Sequence, residues 1–280
     1  MKYKLRLLVI LFVIFVTACS QVDDVQVNEQ TNENVIAEQE KKASAQKEVE
    51  KKDIAVQPEE EKQEETVVLL PQYKINPTNF NVEPIADAPD QVLLLTIDDA
   101  PDKYALEMAK TLKELNVNAI FFVNGHFLKS AEKEAILKEI HDMGFLIGNH
   151  TMTHQNLKTL SEEQQYKEIV ELNDLVERII GERPKFFRAP HGVNTDYSRQ
   201  VVADEKMVLM NWSYGYDFMK DYMNKEALTD IMVNTELLHK GANLLMHDRK
   251  WTNEALKDIV IGLEDKGYQV VDPKLIETMK

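Results

Sequence analysis

The chain has 280 residues, with 48 acidic side chains against 33 basic ones and a formal charge of −15. That balance excludes nucleic acid as a partner, since phosphate binding needs a basic stripe that the sequence lacks, and it suits a substrate that is neutral or at least not polyanionic. A single cysteine excludes an intrachain disulfide.

In chain order, residues 1–18 read as a signal peptide. Lys2, Lys4 and Arg6 precede an apolar run from Leu7 to Val16, which falls short of the about 20 residues a membrane-spanning helix needs. Val16-Thr17-Ala18-Cys19 resembles the lipobox of bacterial lipoproteins. The resemblance implies cleavage before Cys19 and lipid attachment through its sulfur. Residues 19–66 then form a lipidated cysteine and an acidic linker rich in Glu, Gln, Asn and Lys, without glycine or aromatic residues. Such a composition cannot bury a core and is expected to be a disordered tether. Residues 67–280 are enough for one domain with a substantial core.

Within that domain, buried parallel strands should appear as continuous apolar runs. Val92 to Ile97, Ala119 to Val123, Phe145 to Ile147, Lys185 to Phe187, Met207 to Met210, Asn243 to Met246 and Gln269 to Val271 fit this pattern. Helical periods separate them, on Ala105, Met108, Leu112 and Leu115, on Ile136, Leu137, Ile140 and Met143, and on Ile169, Leu172, Val176 and Ile179. Ser161 with Gln164 offers a capping box, and Gly144, Gly181, Gly241 and Gly267 stand where left-handed caps are wanted. The alternation predicts an α/β fold, either an open doubly wound sheet or a barrel, with reactive groups outside the carboxyl ends of the strands. About seven strands, six of them associated with a polar or ionisable residue, favour a barrel.

The polar residues near those ends are Asp98-Asp99, Asn124, His150 and His154, Arg188, Asp217 and His247. One carboxylate of the Asp pair could bind a cation while the other moves protons, although a solvated acidic turn has the same sequence. His150 and His154, at i and i+4, would share a face on a helical turn. With one carboxylate they would make an open three-ligand site of the zinc type; two surface histidines fit the spacing equally well. Nickel, cobalt or manganese would suit the same donors. Arg188 could hold a rim carboxylate or form a plain structural ion pair, and the loop after it could turn a backbone N–H toward an oxyanion. His247 could donate a proton if a carboxylate such as Asp217 tunes it. His126, His141 and His239 receive no role.

Together, Thr96-Ile-Asp-Asp-Ala-Pro101, His150-Thr-Met-Thr-His154, Arg188-Ala-Pro-His-Gly192 and Leu245-Met-His247 resemble the polysaccharide deacetylase family, whose catalytic unit is the NodB homology domain. The match runs over about Val92 to Val271. It implies a distorted (β/α) barrel of about seven parallel strands and metal-dependent removal of acetyl groups from N-acetylated sugars. Carried over, Asp99, His150 and His154 would bind metal, most simply Zn2+. Asp98 would be the base, Arg188 its holder, His247 the general acid, and Asp217 its tuning partner, with Asp221 a competing choice. The backbone N–H of His191 would face the oxyanion, and Trp212 and Leu245 would wall the acetyl groove. Ile97 and Ala100 depart from the family's aromatic residue and glycine around the Asp pair, and His191 departs from its aromatic residue.

The resulting expectation is a monomeric, lipid-anchored enzyme on the extracytoplasmic face of a bacterial membrane, deacetylating N-acetylglucosamine or N-acetylmuramic acid in cell-wall glycan, or a chitin-like oligosaccharide. Alternatives are an O-acetyl glycan esterase and a catalytically silent wall-binding lipoprotein. Metal affinity is expected to fall below about pH 6, the ordinary histidine range.

Overall fold

A computed structural model describes residues 70–279. The expected signal peptide, Cys19 and the linker of residues 19–66 lie outside the described residues. No helix among the described residues is long and apolar enough to cross a membrane.

The chain first forms a short antiparallel hairpin, β1 (Tyr73–Ile75) and β2 (Val82–Pro84). It then alternates β3 (Val92–Ala100), α1 (Ala105–Glu114), β4 (Ile120–Val123), α2 (Ala131–Asp142), β5 (Leu146–Asn149), α3 (Glu162–Ile180) and β6 (Phe186–Arg188). There follow α4 (Asp196–Asp204), β7 (Val208–Met210), α5 (Lys225–Asn234), β8 (Ala242–His247), α6 (Lys250–Asp265) and β9 (Gln269–Val270). The seven later strands form one parallel sheet in the order β7-β6-β5-β4-β3-β8, with β9 also on β3. Beyond β7, Ser213 N–H donates to the Asn243 carbonyl at 2.7 Å and Leu245 N–H to the Tyr214 carbonyl at 2.8 Å. These bonds join the chain after β7 to β8, so the sheet curls toward a barrel, as the sequence predicts.

Strand alternation assigns the side chains to two layers. Leu93, Leu95 and Ile97 pack with Met108, Leu112, Leu137 and Leu256 in the layer between sheet and helices. Val92 and Leu94 pack with Ile120, Phe122, Phe186 and Met210 on the inner face. Continuing that inner register, Asp98 stands above Leu94 and Thr96, Arg188 above Phe186, and His247 above Leu245. Three candidate site residues therefore belong to the interior face because of their parity along the strand.

Helix termini follow the expected chemistry. Ser161 and Gln164 form a reciprocal capping box, and α3 ends at Gly181 with φ 80°. The hairpin is the element the sequence reading missed: three-residue strands are too short to show a period of two. Tyr73 and Val82 are buried against Val92, Phe122 and Ile276, and Val82 N–H donates to the Gly241 carbonyl at 2.8 Å. The hairpin thus packs where β3 and β8 begin, away from their carboxyl ends.

Gly241 has φ 77°, and a Cβ there would lie 2.2 Å from the Val82 carbonyl oxygen. Gly181 has a similar φ but open space around it. Gly241→Ala should therefore cost about 2 kcal/mol or more, and Gly181→Ala about 1 kcal/mol. Thermal melts followed by circular dichroism should give a clearly lower Tm for the first variant.

Candidate active site

At the end of β3 two adjacent carboxylates reach one cleft, which ordinary strand alternation forbids. The β3–β4 register shifts between Ile97 and Ala100, and Asp99 adopts a left-handed φ of 63°. This irregularity turns Asp99 away from the helix layer and toward the inner rim. Asp98 gives Oδ1 to Arg188 Nη1 at 2.6 Å. Its Oδ2 lies 3.5 Å from His150 Nε2.

His150 and His154 sit on the loop after β5, not on the expected helical turn. Thr151 and His154 have left-handed φ values of 71° and 60°, and side chains hold this backbone instead of a helical ladder. Thr151 N–H donates to Asn149 Oδ1 at 2.9 Å, and Thr153 N–H to Glu168 Oε2 at 2.8 Å. The Thr153 hydroxyl also donates to Glu168, and Asn124 Nδ2 donates to the His150 carbonyl. His150 Nδ1 donates to the Arg188 carbonyl at 2.7 Å, which leaves Nε2 as the free ligand nitrogen. The spacing identified the pair, but the local reason differs.

Asp99, His150 and His154 each offer one atom to a cluster whose donors lie within 4.8 Å of one another. Asp99 Oδ1 is 4.0 Å from His150 Nε2 and 3.6 Å from His154 Nε2. Two imidazoles and one carboxylate oxygen fit a divalent ion of borderline softness and leave a coordination position open. Burial depresses His150, outweighing the opposing pull of Asp98 and Asp99. Burial, with His150 next to it, lowers His154 to about 4. Burial pushes the Asp99 carboxyl up, but His150, His247, His154 and Arg249 together hold it below its ordinary value. The cluster is poised as neutral imidazoles and an ionised carboxylate.

Across the cleft, His247 Nδ1 meets Asp217 Oδ1 at 2.7 Å, while Asp217 Oδ2 accepts from His247 N–H at 2.6 Å and from Thr252 Oγ1 at 2.8 Å. Asp217 is fully buried, whereas Asp221 stands exposed in the turn Lys220–Tyr222. Between the two candidates, geometry brings only Asp217 to His247. It does so from the connection between β7 and α5, not from a strand end. Burial alone would lower the His247 pKa; the Asp217 hydrogen bond and charge, with Asp98 and Asp99, raise it instead.

These groups line a cleft of about 540 Å³ together with His191, Trp212, Phe218, Met223, Leu245, Arg249 and Trp251. His191 has φ 58° within the turn Pro190–Gly192, and its ring centroid is 5.0 Å from that of His154. Trp212 lies against Gly192, where a Cβ would come 3.0 Å from the indole. The unassigned His126, His141 and His239 do not line this cleft. Sequence reasoning missed Arg249, Trp251, Thr252 and Glu168. Arg249 Nη2 donates to Asp99 Oδ2 at 2.6 Å, and Trp251 Nε1 donates to the Asp217 carbonyl at 2.7 Å. For the first three, the run Asp248-Arg-Lys-Trp-Thr252 directly after His247 was the available signal.

A family model for polysaccharide deacetylase matches residues 85–210. A peptidoglycan-N-acetylglucosamine deacetylase from Bacillus cereus is 31% identical over 225 residues, which cover 74% of this chain and 79% of the relative. The chain belongs to the polysaccharide deacetylase family. It is a hydrolase of that type with a candidate metal-binding active site. Among solved structures, the peptidoglycan deacetylase PdaC from Bacillus subtilis matches this deacetylase with a TM-score of 0.59 and 29% identity, covering 67% of this chain and 90% of that one. A CE4 family pseudoenzyme from Bacillus anthracis matches with a TM-score of 0.60 and 28% identity over 68% of each chain. A mutant of that pseudoenzyme has restored enzymatic activity.

Because burial holds both imidazoles below the ordinary histidine range, their competence as ligands is expected to extend below the pH of about 6 that the sequence suggests. Metal retention should persist to roughly pH 5 and fail as pH approaches the His154 value, as read by elemental analysis after buffer exchange. Replacing both His150 and His154 with Ala should abolish retention at every pH.

Proposed function

We propose that the protein hydrolyses N-acetyl groups from peptidoglycan, on N-acetylglucosamine or N-acetylmuramic acid, using a divalent metal held by Asp99, His150 and His154. Zinc is the first choice, on the strength of a His/His/carboxylate set. One observation carries the reading: a single cleft contains the three-donor cluster, an arginine-held carboxylate on one side and a carboxylate-held imidazole on the other. The names of the relatives support the substrate class.

When bound, the metal supplies Lewis-acid polarisation of the scissile amide and of the attacking water. Asp98 accepts the proton from that water through Oδ2, the oxygen that Arg188 leaves free. Arg188 fixes this carboxylate in direction. His247 carries its proton on Nε2 and delivers it to the departing amine, while Asp217 holds Nδ1 and stabilises the imidazolium. The backbone N–H of His191 faces the developing oxyanion, and Trp212 and Leu245 close around the acetyl methyl. In the cell, the signal peptide would direct export and, after its cleavage, lipid on Cys19 would tether the domain of residues 67–280 outside the membrane, beside the polymer.

Acetate release from N-acetylated peptidoglycan fragments tests the reaction, with O-acetylated glycan alongside. Release only from the ester would favour the esterase, and absence of turnover on both would favour a wall-binding protein. Asp99→Asn should lose metal and activity together. Asp98→Asn should retain metal and lose about a hundredfold or more in kcat. His247→Ala should likewise lower kcat more than it changes KM.

His247 must be protonated to act, so activity should fall as pH rises through its elevated pKa. Asp217→Asn removes the main group raising that value. The alkaline limb of the kcat–pH profile should therefore move to lower pH.

A further inference from the structure

Two adjacent aspartates each have a guanidinium. Arg188 takes Oδ1 of Asp98 at 2.6 Å, and Arg249 takes Oδ2 of Asp99 at 2.6 Å. The first pair is fully enclosed, while Arg249 lies on the cleft wall with a side chain 36% exposed. Arg249 is itself held: Nη1 donates to the Asp248 carbonyl at 3.1 Å and stands 3.9 Å from Asp102 Oδ2. Its backbone begins α6 as the N-cap residue. The Asp99 oxygen facing both histidines is Oδ1, so the oxygen bound to Arg249 is the one left out of the ligand cluster.

We propose that Arg249 is a positioning residue that restricts Asp99 to one donor oxygen and so keeps a ligand position open for the reaction. This inference rests on the deacetylase reading and deepens it. A carboxylate with both oxygens free can bind an ion bidentately and consume a position that substrate or water needs. A guanidinium on Oδ2 prevents this. Its charge also withdraws electron density from the ligand and opposes the nearby divalent cation. Both effects weaken metal binding while leaving the ion a stronger Lewis acid. The sign is opposite to that of an outer partner that raises ligand basicity, whose loss weakens the site.

The test uses the purified protein, zinc titrated against a competing colorimetric chelator, and kinetics on an N-acetylated peptidoglycan fragment. Arg249→Gln should bind zinc about tenfold more tightly while kcat falls about tenfold and KM stays near wild type, within the range typical of outer-shell changes. Arg249→Lys should restore near-wild-type zinc affinity and part of kcat. A structural role alone would instead weaken zinc binding in both variants. Weaker or unchanged zinc affinity in Arg249→Gln, or an unchanged kcat, overturns this inference alone. A wild-type protein that takes up no zinc and releases no acetate overturns the deacetylase reading and this inference with it.

Discussion

The architecture depends on one buried guanidinium. Arg188 is wholly enclosed inside the curled sheet and cannot lose its charge under any physiological condition. An unpaired ion in that position would cost several kcal/mol, so its surroundings are organised around it. Nη1 donates to Asp98 and to Thr96 Oγ1 at 2.8 Å, and Nη2 donates to the Asn211 carbonyl at 2.8 Å. The Phe122 ring lies 4.4 Å from the guanidinium carbon. Through its own carbonyl, Arg188 also fixes the tautomer of His150. One residue thereby connects β3, β4, β6 and the ligand loop, and it couples the candidate base to a candidate ligand through a single rigid centre.

The same logic extends to the opposite wall. Asp217 is as deeply buried as Arg188, and its carboxylate accepts three hydrogen bonds, from the His247 backbone, the His247 ring and Thr252. Each proposed proton-transfer group is held by a charged partner that is itself locked by packing. Such preorganisation lets electrostatic stabilisation act without rearrangement. The ligand loop is hung from Glu168 on α3, a buried carboxylate with two donors from Thr153. The geometry of the candidate metal cluster is thus determined partly by a helix outside the sheet.

Much of this was legible because two simple periodicities dominate the chain. Continuous apolar runs marked all seven parallel strands to within about a residue at most ends, and β3 extended further because Asp98 continues the ladder opposite His247. Asp98, Arg188 and His247 were also visible by position along their strands. What remained hidden depends on three-dimensional closure. Asp217 and Asp221 look equivalent until α6 brings Thr252 and Trp251 to the first of them. Arg249 carries no motif of its own, and its partner is 150 positions away. His150 and His154 share the spacing of a helical turn, yet side-chain hydrogen bonds impose two left-handed residues on that segment. The hairpin before β3 owes its form to packing against Val92 and Ile276, not to local propensity.

The irregularity in β3 has a consequence for how this stretch can vary over evolution. Ile97 and Ala100 both pack in the layer against the helices, where substitution is a question of volume, so departures from the family's aromatic residue and glycine leave the reacting carboxylates in place. Length is another matter. Only Asp98 and Asp99 stand between Ile97 and Ala100, so removing one residue there would restore regular alternation at the cost of one of the two carboxylates, leaving the other alone on the inner face. The segment is therefore open to replacement but closed to deletion, and its spacing is a more stringent signature than its flanking residues.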